Sequence, residues 1–323
     1  MKKKKKITLM LVITSLAVFI IHIINKAIFF FSTIKETLYS DNSNFYNWRF
    51  GKIFYTKKGS GSPVLLVHDL DNISSDLEWK EITNSLADHH TVYTLDLLGC
   101  GRSDKPEMTY TTFLYVQLLS DFIKNIIKQP TDVIVTGHAS AAIIMACYSD
   151  AKLFKNLILV NPDNLSTMNQ VPKYKHKILQ FLLNIPIIGT FVYNVSASTT
   201  MIEDIFSKQY FVNSKKIPSK YLYGYHEAAH LGGSASKYLY SSIRCHYTNT
   251  NIIHALKEIN NNISIISGEF EKDIDCTLEQ YIQCNPSIEV SHIKRTKHLP
   301  QIERPKDFLA LLPLYLSEEI IEE

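Results

Sequence analysis

Asp132-Val-Ile-Val-Thr-Gly-His-Ala-Ser-Ala-Ala-Ile-Ile-Met145 decides how this chain is read. Val133 to Val135 form a wholly apolar run, followed by a tight Gly-His turn and then by small and apolar residues with helical character. A strand, a sharp turn and a helix in that order are the frame in which the pentapeptide G-x-S-x-G lifts a serine hydroxyl above a parallel sheet. The five residues here are Gly137-His138-Ala139-Ser140-Ala141. Small residues stand at both ends, at Gly137 and Ala141, but the central position is Ala139, whose methyl group cannot attack a carbonyl. A serine follows one residue later, at Ser140.

The flanking chain repeats the strand-then-helix pattern. Upstream, Phe45 to Tyr55 reads as strand material and Val64-Leu-Leu-Val67 as a strand covered on both faces. A helix follows around Trp79 to Leu86, then a strand from Thr91 to Leu95. Leu114, Leu118, Phe122 and Ile126 recur every four residues, which predicts a helix over Thr111 to Ile127. Downstream, Asn156 to Val160, Ile263 to Ser267 and Ile288 to Ile293 read as further strands, and Lys306 to Leu316 as a last helix. Between Leu165 and about Leu256 there are helical runs and no convincing buried strand. Alternating strands and helices imply an α/β fold with a mostly parallel sheet covered on both faces. An insertion of about 90 residues between two such strands would be a lid over their C-terminal ends, where ligands bind. The expected divisions are 1–31 for a lysine block and anchor, 32–44 for a stalk, 45–163 and 257–323 for the core, and 164–256 for the lid.

The N-terminus has a separate character. Lys2 to Lys6 precede an apolar run from Ile7 to Ile24, broken only by Thr8, Thr14, Ser15 and His22. About 20 apolar residues span a bilayer. The run is longer than the core of a cleaved signal peptide, and Phe29 to Phe31 do not resemble a cleavage site. An uncleaved anchor in a cell membrane is expected, with the lysines cytoplasmic and the rest of the chain outside.

The chain has 323 residues, 46% hydrophobic and 20% charged, enough for one α/β domain and an extra segment. Its net charge is +3, and the lysine block supplies five positive charges, leaving 3 − 5 = −2 for the remainder. That near-neutral body has no nucleic-acid footprint. The five cysteines are scattered with no C-x-x-C pair, so no metal knuckle is expected.

Taken together, these stretches resemble the α/β-hydrolase family. Val64-Leu-Leu-Val-His68 is similar to its strand leading into a His-Gly oxyanion loop. Asp96-Leu-Leu-Gly-Cys-Gly-Arg-Ser-Asp-Lys-Pro106 is similar to its D-x-x-G-x-G-x-S loop and is the most specific match. Val135-Thr-Gly-His138 resembles the run into its nucleophile turn. Ile265-Ile-Ser-Gly268 resembles the strand before its acid, and Lys297-His-Leu-Pro-Gln-Ile-Glu-Arg-Pro305 its histidine loop. The resemblance implies a serine nucleophile, a histidine base and a carboxylate that orients it. His298 matches the base. Glu271, three residues after Gly268, is the expected acid, with Asp273 or Asp163 as alternatives. Ala139 stands at the nucleophile position, and Ser140 either replaces it from a rebuilt turn or is an ordinary helix-start serine. The N–H groups of Leu70 and Ser140 are the expected oxyanion donors. Asp69 departs from the family's glycine, and an ionised side chain aimed at that site would repel developing negative charge.

His226-Glu-Ala-Ala-His230 fits H-E-x-x-H, a zinc-binding pattern on a helix, and Gly233 fits its longer form. The third histidine that form requires is Ser236 here, so the stretch reads as lid helix, and neither metal nor cofactor is expected. The apolar run Ile178 to Tyr193 suits packing of the lid, an acyl pocket or membrane contact. Two functions follow. One is a membrane-anchored hydrolase of an ester or other hydrophobic acyl substrate, working through an atypical turn. The other is a catalytically inactive relative that binds a small hydrophobic ligand or a partner protein.

Overall fold

A computed structural model describes residues 2–40 and 42–317; Met1, Asp41 and the C-terminal six residues of the expected core lie outside the described residues. Eight strands, β1 (Asn44–Trp48), β2 (Gly51–Lys58), β3 (Pro63–Val67), β4 (Thr91–Leu95), β5 (Thr131–Thr136), β6 (Phe154–Val160), β7 (Ile263–Gly268) and β8 (Glu289–Ile293), form one sheet. Their spatial order is β1-β2-β4-β3-β5-β6-β7-β8. The first two pairings, β1 with β2 and β2 with β4, are antiparallel, and every other pairing is parallel. The strand material expected over Phe45 to Tyr55 forms a hairpin, with Gly51 at φ +150° turning the chain tightly against Asp104.

The helices, in chain order, are α1 (Lys2–Thr33), α2 (Lys80–Leu86), α3 (Thr112–Phe122), α4 (Ser140–Ser149), α5 (Leu165–Met168), α6 (Tyr174–Asn184), α7 (Ile188–Ser196), α8 (Thr199–Ile205), α9 (Ser219–His230), α10 (Lys237–Arg244), α11 (Ile253–Glu258), α12 (Ile274–Cys284), α13 (Pro300–Glu303) and α14 (Pro305–Leu311). The run β3 shows why a central strand is apolar throughout. Its residues alternate between the sheet's two faces. Val64 and Leu66 pack with Trp79, Ile82 and Phe308 on one face, while Leu65 and Val67 join Phe122, Ile143 and Ile144 on the other. At the foot of the sheet, buried Asp132 accepts hydrogen bonds from the Asn156 amide (3.0 Å), the Asn156 side chain (2.9 Å) and the Ser317 amide (3.0 Å). That carboxylate ties β5 to β6 and to the end of the chain.

Between β6 and β7 the described residues are helical or irregular, with no strand, and this insertion has its own apolar cluster around Tyr193, Phe206, Phe211 and Tyr225. The helix α1 is long and apolar enough to cross a membrane, with a mean hydropathy of 2.7 over its most apolar window and side chains exposed along it. Its C-terminal part docks on the insertion. Glu227 on α9 accepts the Thr37 amide (2.6 Å) and the Leu38 amide (3.4 Å), and Arg102 donates to the Leu38 carbonyl (2.9 Å). The H-E-x-x-H stretch therefore grips both the end of α1 and the segment after it: His226 faces Ser32 (3.5 Å) and the His230 ring packs on Phe29, both within the helix, while Glu227 holds Thr37 and Leu38. No group of three or more His, Cys, Asp or Glu side chains placed to hold a metal occurs among the described residues.

Candidate active site

Five loops at the C-terminal ends of parallel strands converge on one cavity of about 600 Å³. Following β3 comes Asp69, following β5 His138, following β6 Asp163, following β7 Glu271, and following β8 His298. Leu70, Tyr210, Ile243 and Phe270 supply apolar wall.

The turn after β5 is not where the pentapeptide reading put it. The residue with left-handed backbone is Gly137, at φ +54°, immediately after the last strand residue, Thr136. Ala139 has an ordinary right-handed φ of −65° and is already inside the short helical turn that leads into α4. In G-x-S-x-G it is the central residue that takes the strained turn, so the position equivalent to a nucleophile is Gly137, two residues before the expected Ala139. The matching pentapeptide is Val135-Thr-Gly-His-Ala139. Glycine is the residue that adopts this backbone at no steric cost.

Ser140 is excluded from the cavity by the same shift. It is the first residue of α4, 1% exposed, and its hydroxyl has no hydrogen-bond partner among the described residues. Its N–H donates to the Gly137 carbonyl, so it cannot be the oxyanion donor expected of it. The amide after the turn belongs to His138, which donates to Asp69 Oδ1 at 2.8 Å. Leu70 lines the cavity beside Asp69, and the Asp69 amide points away, to Glu78 Oε2 at 3.0 Å.

Asp69 fills the place from which a nucleophile would act. A Cβ built on Gly137 would lie 2.5 Å from its Oδ1 and 2.6 Å from its Cγ. Its Oδ2 is 3.0 Å from His298 Nε2. The other ring nitrogen of His298, Nδ1, is 3.3 Å from Glu271 Oε1. A neutral imidazole has one N–H and cannot donate to both carboxylates, whereas an imidazolium can. Burial disfavours charge on His298, whose side chain is 12% exposed, but the bond to Asp69 and then that to Glu271 outweigh it. The ring is held well above its ordinary range. Burial would likewise raise the Asp69 carboxyl, but the His298 hydrogen bond and charge hold it below the usual carboxylate range. The resting pair is imidazolium and carboxylate.

The remaining sequence candidates separate cleanly. Glu271 meets His298, although at a longish distance, and its Oε2 has no partner among the described residues. Asp273, with φ +53° and exposed, precedes α12 and makes no described hydrogen bond to His298. Asp163 reaches a different imidazole, accepting from His138 Nδ1 at 2.6 Å, while His138 Nε2 meets Thr248 Oγ1 at 2.8 Å. Burial lowers His138, but Asp163 outweighs it and the ring is raised above its ordinary value.

Three supporting residues had no sequence signal of their own. Asn161, in the left-handed region at φ +45°, donates to the carbonyls of Lys297 (3.0 Å) and His298 (2.9 Å) and accepts the Gly268 amide (3.0 Å), so it fixes the histidine loop against β7. Tyr210 stacks on the His298 ring with centroids 5.1 Å apart. Glu78 is fully buried, and burial with the nearby Asp69 charge pushes its carboxyl up to about 8. The D-x-x-G-x-G-x-S loop proves to be scaffold. Asp96 accepts the Arg102 amide (2.7 Å) and side chain (2.8 Å), the Asp76 amide (2.8 Å), and its own carbonyl takes Ser103 Oγ (2.5 Å). A side chain at Gly101 would collide with Asp96 Oδ2 at 2.3 Å, which explains the glycine.

This arrangement of sheet, turn and histidine loop defines an α/β hydrolase fold. The chain belongs to the alpha/beta hydrolase family, whose model matches residues 64–311. It is 37% identical over 71 residues to a 2-hydroxy-6-oxo-6-(2'-aminophenyl)hexa-2,4-dienoic acid hydrolase of Metapseudomonas resinovorans, a match covering 22% of this chain and 24% of that relative. Its fold is similar to a serine hydrolase involved in carbazole degradation, with TM-score 0.67 and 18% identity over 84% of this chain and 98% of the other. It is also similar to a membrane phospholipase A described as a bacterial virulence factor, with TM-score 0.67 and 16% identity over 97% of both chains.

Proposed function

We propose that this chain is a membrane-anchored member of the family whose cleft binds a small, mainly hydrophobic ligand with a polar end and does not carry out serine-type ester hydrolysis. One observation supports this reading above the others: Gly137 occupies the nucleophile's turn, and the Asp69 carboxylate occupies the space above it. Among the described residues both ring nitrogens of His298 meet carboxylates and neither meets a hydroxyl, the imidazole is held protonated, and the N–H that would meet an oxyanion already serves a carboxylate. Each of the three would cost a serine mechanism dearly. The apolar α1, its lysine block, and a neighbouring fold that includes a membrane phospholipase over nearly its whole length support the anchor, with the folded body outside. The mixed lining, from Leu70 and Phe270 to His298, suits an amphipathic ligand. The test is a fluorophosphonate probe and 4-nitrophenyl butyrate with the full chain in detergent. Neither labelling nor turnover above a His298→Ala control is expected; labelling that depends on His298 refutes the reading.

A second reading has an observation of its own. Asp69, His298 and Glu271 form a continuous hydrogen-bonded series, with Asp69 in the nucleophile's seat. Asp69 Oδ2 would attack an electrophilic carbon, and the leaving group would depart with the bond's electron pair and take the His298 proton. The neutral His298 would then take a proton from water as its oxygen attacks Asp69 Cγ. Collapse would expel the alkoxide, which takes the remaining proton, and restore the carboxylate. Turnover in ¹⁸O-water would leave one heavy oxygen in Asp69; an unlabelled Asp69 after turnover excludes this route.

A further inference from the structure

The insertion carries an apolar surface whose position is set by α1. From Ile7 to Ile24 is 18 residues, about 27 Å of helix, close to the ~30 Å hydrocarbon thickness of a bilayer. The next residue, Asn25, is buried, unlike the exposed residues before it. Its side-chain amide donates to the Ile187 carbonyl at 2.9 Å, and the Asn194 side-chain Nδ2 donates to Asn25 Oδ1 at 2.9 Å. These bonds pin the corner between α6 and α7 to the outer end of the apolar stretch.

The two helices meet at that corner at 98° and together are apolar enough to count as a broken span. Phe181 is 70% exposed, and Leu182, Ile188, Val192 and Val195 are exposed beside it. Phe30 and Phe31 on α1 are also exposed just beyond Asn25. Exposed lysines flank these segments in the chain: Lys26 follows Asn25, and Lys173, Lys175 and Lys177 stand at the start of α6. An apolar face at the level of the headgroups with a basic margin fits the boundary region of an anionic membrane.

Given the anchored reading above, we propose that the α6–α7 corner is a second membrane contact, seated in the headgroup and upper acyl region of the same leaflet that α1 leaves. The helical insertion is then held against lipid, and a hydrophobic ligand reaches the cleft from the bilayer side.

The test uses tryptophan quenching in vesicles of phosphatidylcholine and phosphatidylglycerol brominated high on the acyl chain. The full chain has two tryptophans, Trp48 and Trp79, both buried, so their emission is a constant background. Phe181→Trp reports the corner, Phe19→Trp the middle of α1, and Leu314→Trp, exposed beside α14 at the foot of the sheet, the far end of the domain. Added emission is expected to fall at least twofold for F19W and F181W and to be unchanged for L314W. Quenching of F19W with F181W no more affected than L314W overturns the second contact alone. A second copy of the chain covering the face gives that same result. F19W left unquenched overturns the anchor as well.

Discussion

Restoring a hydroxyl to this cleft requires two changes at once, and the geometry sets their order. Gly137→Ser puts a Cβ where Asp69 Oδ1 stands, 2.5 Å away, far inside contact distance. The turn itself, at φ +54°, adds about 1–2 kcal/mol for any residue with a side chain. To fit, Asp69 must swing away from His298 and from the His138 N–H, and breaking a buried ion pair of this kind costs roughly 3–5 kcal/mol. Asp69→Ala removes Oδ1, Cγ and Oδ2, the three nearest atoms, and frees the imidazole and the amide together. G137S and D69A should therefore each be destabilising and non-additive by about 3 kcal/mol in a double-mutant cycle, because the pair is lost only once and G137S costs far less in a D69A background than in the wild type. For a domain of this size that is roughly 6–12 °C in melting temperature. Fluorophosphonate labelling should appear only in the G137S/D69A chain and vanish when His298→Ala is added. Ala139→Ser should remain unlabelled, because that side chain starts inside a helical turn. Labelling of A139S, or G137S lowering the melting temperature by the same amount in the wild-type and D69A backgrounds, refutes the assignment of the turn to Gly137.

Three further outcomes follow from the same atoms. Asp69→Asn removes the larger of the two influences that raise His298, so imidazole resonances of His298, protonated at neutral pH in the wild type, should titrate lower in the variant; an unchanged titration removes Asp69 from the pair. Glu78 is raised to about 8 from an ordinary 4.5, so between those values the unfolded chain has lost a proton that the folded chain keeps. Stability must fall as pH rises through that window, and Glu78→Gln should be more stable than the wild type near pH 8, by on the order of a few kcal/mol, yet not at pH 4. Equal urea midpoints for the two chains at pH 8 refute this. Ser140→Ala deletes a buried hydroxyl without a partner, and should leave ligand binding unchanged and stability unchanged or higher by up to about 1 kcal/mol; a loss of binding would return Ser140 to the site.

The strands were legible because a parallel sheet buries both of its faces, so Val64 to Val67 and Leu157 to Val160 stand out as continuous apolar runs. His298 and Glu271 were legible by their order after the last strands, and the structure does bring them together. The turn was misread for a definite reason. Matching small residues, Gly137 and Ala141, to the ends of a pentapeptide puts the centre at Ala139, whereas the end of β5 puts it on the first residue able to take left-handed backbone, which is Gly137. At a turn with φ +54°, glycine is the residue that backbone strain alone selects. Asp69 was noticed as a departure from glycine, but the sequence holds no information about where a side chain aims. The pairing of Asp163 with His138 and the anchoring of the histidine loop by Asn161 are contacts between distant loops, set by sheet order.

The grip of Glu227 and Arg102 on residues 37 and 38 has a mechanical consequence. If α1 spans a bilayer as proposed above, a connecting segment clamped so soon after Thr33 gives the body no slack: it cannot swing as a weight on a string would, and its tilt follows the tilt of α1. Stretching or thinning the surrounding lipid would then be felt directly as torque on the insertion above the cleft, and a flexible linker spliced in after Thr33 would silence that response while leaving the fold intact.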